Sequence, residues 1–166
     1  MDGDVYIVRG AVLRCHFGSH PRRLNLPKCH GVYATGHPLV HELDCEPGEA
    51  GNIPSFGVCE SPTAGSDAPV VTLQRVECDE GGRPIGTGGN GGTVRGRRCM
   101  PLIPEKRWRN TYTDTRIVDN GDRDPADRDR DDDDEDKGHP AVTTSSFVYC
   151  ARGGVIRPVT SGQEGM

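Results

Sequence analysis

Apolar residues run through this chain in short stretches, each cut off by glycine or proline before a helix could complete two turns. The runs are rich in β-branched residues, as in Val5-Tyr6-Ile7-Val8, Pro69-Val70-Val71-Thr72-Leu73 and Gly154-Val155-Ile156. This pattern predicts strands over 4–9, 11–15, 31–35, 39–43, 70–78, 94–100, 141–149 and 154–159, with at most a short turn of helix. Gly10 separates the first pair and Gly153-Gly154 breaks the approach to the last strand, as bends or bulges would. Two Gly-His-Pro turns, Gly36-His37-Pro38 and Gly138-His139-Pro140, each run into an apolar segment and form a faint internal repeat.

Composition narrows the reading to a turn-dense β fold with little interior. Hydrophobic residues are 33% of 166, while 23 glycines and 13 prolines exceed a fifth of the chain, so the core needs help from a metal, cross-links or a partner. The length fits one domain over 1–166 carrying two insertions. One is the glycine-rich loop 81–92. The other is the acidic, self-repelling loop 119–137, whose eleven acids and four bases give −7. The chain's net −5 therefore leaves +2 elsewhere, and bulk acidity says nothing about a partner. The acidic N-terminus has no signal-peptide pattern and no run reaches the length of a membrane span, so synthesis and folding in a reducing cytoplasm are expected. Seven cysteines there, an odd number, argue against a disulfide framework.

Four thiols sit beside tight turns: Cys15 in LRCHFGS, Cys59 in SFGVCESP, Cys99 in RRCMPLIP and Cys150 in VYCARGGVI. Spacing alone leaves metal ligation and small buried core residues both open, because no CxxC pair is present. Cys29, Cys45 and Cys78 lie in polar, loop-like surroundings. His16 adjoins Cys15, but neighbours on a strand face opposite ways, so the two do not share an ion. His37 and His139 read as polar turn residues. Other chemistries fare worse. No GxSxG elbow or cysteine-protease signature is present, and loop 81–92 lacks the Gly-Lys-Ser/Thr ending of a phosphate loop. Asp127, Asp129 and Asp131 have calcium-loop spacing, yet Asp132 and Gly138 occupy the positions needing Gly and Glu. The Arg95-Gly96-Arg97-Arg98 patch is short and lacks stacking aromatics, so no nucleic acid is expected.

An ordered series of motifs spans the chain: Gly10-Ala11 with Leu13, Cys15 and Phe17-Gly18-Ser19; Gly36 with Pro38; and Asn52-Ile53 with Phe56-Gly57, Cys59 and Ser61-Pro62. Cys99 with Pro101 and Trp108 follow, then Gly138 with Pro140-Ala141, and Cys150 with Gly153-Gly154 and Ile156. From about residue 5 to about residue 163 the series resembles the PAAR-like family of uncharacterised-domain proteins (DUF4280).

The resemblance implies a mostly β, small, cone-shaped, turn-rich fold of short strands and hairpins with pseudo-threefold character and long loops. It implies a non-enzymatic spike-tip role: one copy caps the trimeric hub-spike of a contractile injection system, phage-tail-like or type VI-like, and can recruit cargo effectors. Such a tip is assembled in the cytoplasm and acts outside the cell on a fired or released particle. PAAR domains proper hold a zinc near the apex through histidines and a cysteine. The matching positions here imply a structural zinc on Cys15, Cys59, Cys99 and Cys150. With no appended toxin domain visible after the last motif, any cargo is expected to be a separate protein. A stand-alone zinc-stabilised protein-binding module is the second reading, and a thiol-dependent enzyme or redox sensor the third.

Overall fold

Ten short strands and no helix make up the described part of the chain, which is residues 4–62, 67–79, 92–118 and 138–164 of a computed structural model. The acidic segment 119–137, and the glycine-rich one up to residue 91, lie outside the described residues. The largest sheet joins the two ends of the chain. β1 (Val12–Cys15) pairs antiparallel with β10 (Val155–Pro158) and, on its other side, with β2 (Arg22–Arg23). β9 (Val148–Tyr149) completes the sheet against β10. Alternation sets its two faces. Leu13, Cys15 and Ile156 point into the core, while Arg14 and Arg157 point out.

Three two-stranded ladders complete the fold: β3 (Tyr33–Ala34) with β4 (His37–Pro38), β5 (Val70–Gln74) with β6 (Thr93–Arg97), and β7 (Tyr112–Ile117) with β8 (His139–Ala141). The fold is thus mostly β, small and turn-rich, built of short hairpins with no closed barrel. Isolated bridges such as Tyr6–Thr143, Val8–Leu39 and His41–Ala141 tie the ladders together.

Several expected strands are shorter than their apolar runs. Segment 4–9 makes only single bridges at Tyr6 and Val8. Segment 141–149 is interrupted where Ser146 closes a turn onto Thr143, through both its backbone and its hydroxyl. The strand expected over 39–43 pairs instead at His37–Pro38, because the hairpin turn falls at Thr35-Gly36. Both of those residues have positive φ (53° and 78°), the geometry of a tight turn matched to strand twist. β2 and β7 were not foreseen. Arg22–Arg23 carries no apolar signal, and only Ile117 of β7 is buried.

The main core is one cluster around Phe56, Trp108, Ile7, Leu13, Leu24, Ile53 and Ile156, and five cysteines belong to it. A smaller cluster of Val8, Leu39, Ile117 and Ala141 sits under the two Gly-His-Pro units. Those units are alike in backbone: Gly36 and Gly138 both have positive φ, and each delivers its His-Pro into an antiparallel ladder. They differ in surroundings. A Cβ on Gly36 would meet open space, whereas one on Gly138 would lie 2.7 Å from the Ile117 carbonyl oxygen. Gly36→Ala should therefore cost about 1 kcal/mol of backbone strain, and Gly138→Ala about 2 kcal/mol or more. Urea denaturation of the two variants checks the order; equal losses would remove the steric part of the explanation.

Candidate metal centre

Four chain segments close into a ring of backbone hydrogen bonds, and each carries one of the four motif cysteines. Residues 17–19 zip onto 58–60 through Ser19 N–H to the Val58 carbonyl (2.9 Å), Glu60 N–H to the Phe17 carbonyl (2.8 Å) and the Gly18–Cys59 bridge. Residues 57–59 zip in turn onto 97–99, with Cys59 N–H donating to the Arg97 carbonyl (2.9 Å) and Cys99 N–H to the Gly57 carbonyl (2.6 Å). Three residues beyond Cys99, Ala151 N–H donates to the Leu102 carbonyl (2.8 Å) and Leu102 N–H points at Cys150 Sγ (3.5 Å). Cys150 N–H then donates to the Gly154 carbonyl (2.9 Å), and the adjoining β10 pairs with β1, which returns the ring to Cys15.

Close-approach glycines make the ring possible. A Cβ on Gly154 would lie 3.0 Å from Cys15 Sγ, and one on Gly18 would lie 2.5 Å from the Phe56 Cβ and 3.3 Å from the Cys15 Cβ. All four thiols are 2–9% exposed and share the main core cluster. His16, by contrast, is exposed on the opposite face of its strand, as alternation requires.

The electrostatics of the ring suit thiolates. The Cys99 thiol donates to Cys15, and the backbone amides of Phe17 and Gly18 add to this, drawing Cys15 from its ordinary 9.0 down to about 6. Cys99 is pushed up in turn, first by that same hydrogen bond and then by burial. The two shifts run in opposite directions, so Cys15 is the thiol that loses its proton first and Cys99 keeps the one between them. Deep burial without such donors has the other outcome. Cys45, placed in a loop by its polar neighbours, is in fact a core residue, and burial together with Asp44 pushes its thiol up to about 12. It packs as a protonated thiol. Cys29 is half-buried and Cys78 exposed, away from the ring.

The donor set fits a thiophilic ion such as zinc: four buried sulfurs, one of them drawn toward its thiolate, with amides aimed at three of them, since a backbone bond from Phe56 reaches Cys99. The thiols are nevertheless not drawn to ligand spacing. Among the described residues, the donors that all lie within 4.8 Å of one another are those of His30, His41 and Asp44.

That second group was not read from the sequence, where His41 and Asp44 sit three apart and nothing ties His30 to them. His30 Nε2 lies 2.7 Å from Asp44 Oδ2, which also accepts the His41 backbone N–H at 2.8 Å. His41 Nδ1 accepts the Leu43 N–H at 3.1 Å, so its ring proton is on Nε2. The His30 and His41 rings stack with centroids 3.9 Å apart and 21° between planes. An ion lies in the plane of each imidazole that binds it, and with bonds of about 2.1 Å two such rings have centroids roughly 4.5 Å or more apart. The stacked pair cannot share an ion without turning a ring. The arrangement does a structural job instead: it holds the 41–44 turn, whose Asp44 carbonyl accepts the Trp108 indole N–H (2.9 Å) and whose Glu42 carbonyl accepts the Trp108 amide (2.7 Å).

The proton shared by Cys15 and Cys99 gives a pH signature. A lowered pKa means that the Cys15 contribution to stability is complete above about 9 and is lost as pH falls through about 6; Cys99, shifted upward, contributes in the opposite sense above 9. In metal-free protein, thiolate absorbance should show one buried thiol titrating near pH 6. Cys99→Ala should return that titration toward the ordinary thiol range. An unchanged low titration in the variant would show that Cys99 is not the donor.

The chain matches the family model described as "Domain of unknown function (DUF4280)" over residues 7–123, a span that includes Cys15, Cys59 and Cys99 and stops short of Cys150. No curated protein and no solved structure matches it. With more than two thirds of its length inside that match, and with the mostly β fold and ordered motifs described above, the chain belongs to the PAAR-like DUF4280 family.

Proposed function

We propose that this chain is a non-enzymatic spike-tip protein that caps the trimeric hub-spike of a contractile injection system, one copy per trimer. On this reading it is assembled in the cytoplasm and leaves on the tip of the particle, alone or with a recruited effector. A structural zinc held by Cys15, Cys59, Cys99 and Cys150 clasps the fold.

The observation that carries the reading is the closed ring of four cysteine-bearing segments. A tip must transmit axial force through a body with little interior, and the ring joins segments from residue 15 to residue 154 at one place. A bound ion there supplies a cross-link that apolar packing in so small a core cannot, on the order of 10 kcal/mol in small zinc domains. The chain's own residues do the rest: they shield the sulfurs from water, aim amides at them and hold the shared proton that ligation would release. Family membership supports the spike-tip role, and no described helix is long and apolar enough to cross a membrane.

Co-expression with the trimeric spike protein of a contractile injection system tests the role. One copy of the chain should co-purify with three spike chains, and a chain that stays monomeric beside such a spike contradicts it. For the clasp, Cys59→Ser should lower metal content below one equivalent and reduce stability by on the order of 3 kcal/mol. Metal content and melting that match the wild type would exclude the four-thiolate site.

A further inference from the structure

On the solvent face of the β2-β1-β10-β9 sheet, two arginines stand directly opposite each other. Arg14 of β1 pairs with Arg157 of β10, and His16 follows Arg14 two residues on, along the same face. Together with Gly153, Val155, Pro158 and Val159 they line an open groove of about 790 Å³, with no carboxylate in its wall. Like charges placed opposite each other across a ladder destabilise it. Neither arginine is relieved by an acid in an ion pair among the described residues.

Arg157 is held in place. Its guanidinium lies 5.3 Å over the Phe147 ring, which packs edge-on against Tyr149 with centroids 5.2 Å apart. Tyr149 in turn carries Arg109 at 5.2 Å, so a pair of rings stands between two cations, and Arg157 is the one that lines the groove. A guanidinium stacked on a ring keeps its N–H fork free for a planar anion and loses little freedom on binding.

We infer that this groove is a docking site for an acidic protein segment, with Arg14 and Arg157 each taking a carboxylate and the apolar wall taking the side chains between. Two observations favour a carboxylate-bearing peptide over a nucleic acid or an anionic membrane. The groove presents two arginines and one histidine, enough for a few carboxylates and too few to track a phosphate backbone. Three of its seven lining residues are Val155, Pro158 and Val159, which suits aliphatic side chains. The groove lies on the solvent face of strands whose inner face carries part of the cysteine ring, and the inference stands whether or not the chain caps a spike.

The full-length chain, titrated with a labelled Glu-Ala repeat octapeptide, tests the inference by fluorescence anisotropy. Binding should weaken with added salt, and the double change Arg14→Ala with Arg157→Ala should weaken it about tenfold or more. Arg95→Ala, an exposed arginine on β6, should leave it unchanged. Trp108 emission reports whether each variant is folded. If the double alanine variant is not, Arg14→Lys with Arg157→Lys keeps the charge, removes the fork and should still lose several-fold. Undiminished binding in a folded double variant overturns the proposal, as does an equal loss in Arg95→Ala. Tighter binding of a short DNA duplex or of phosphatidylserine vesicles than of the peptide overturns the choice of ligand.

Discussion

Backbone zippers bring Cys15 and Cys99, more than eighty residues apart in the chain, into one core cluster, and the packing around their sulfurs is arranged to permit it. Gly154 lacks a side chain where the Cys15 sulfur sits, Gly18 lacks one against Phe56 and the Cys15 Cβ, and the 17–19, 58–60 and 97–99 segments are zipped edge to edge beside them. A chain with 33% hydrophobic residues builds only a modest core, and here the middle of that core is sulfur. Two thiols sharing one proton are a poor substitute for apolar packing, because burial penalises the thiolate. They are a better preparation for an ion, because Cys15 gives up its proton more readily than an ordinary thiol.

The two polar centres of the molecule differ in what their geometry permits. The cysteine ring has donors from four segments, amides pointed inward and only packing to hold the sulfurs apart. The His30–His41–Asp44 group has closer donors, but they are spent: Asp44 Oδ2 accepts two hydrogen bonds, His41 Nδ1 accepts a third, and the rings stack face to face. Proximity of ligand atoms is therefore the weaker guide, and the planes of the rings decide. The histidine group instead anchors Trp108, the largest fully buried side chain, through the turn that carries Asp44.

Most of the architecture was legible in the sequence because glycine and proline mark where strands stop. The break at Gly153-Gly154, the paired Gly-His-Pro turns and the outward face of His16 all follow from local rules. The misses come from contacts that no local pattern announces. Arg22–Arg23 and Tyr112–Ile117 are held by pairing to a neighbour, with little apolar burial of their own, so no hydrophobic alternation announces them. Cys45 is surrounded in sequence by Asp44 and Glu46 yet is buried, since Asp44 turns inward to meet His30. Contacts such as His30 with Asp44 depend on long-range folding, and a single sequence carries no trace of them. The four cysteines stood apart by their turn contexts, while their convergence depends on backbone zippers that no spacing rule encodes.

X-ray absorption at the zinc edge, on protein purified without chelator, tests the central claim most directly. The account predicts about one zinc per chain with a shell of four sulfurs at about 2.3 Å. A shell of nitrogen and oxygen at about 2.0–2.1 Å would move the ion to the histidine–aspartate group. That result, or protein that carries no metal when purified without chelator, would contradict the reading of the cysteine ring as a clasp.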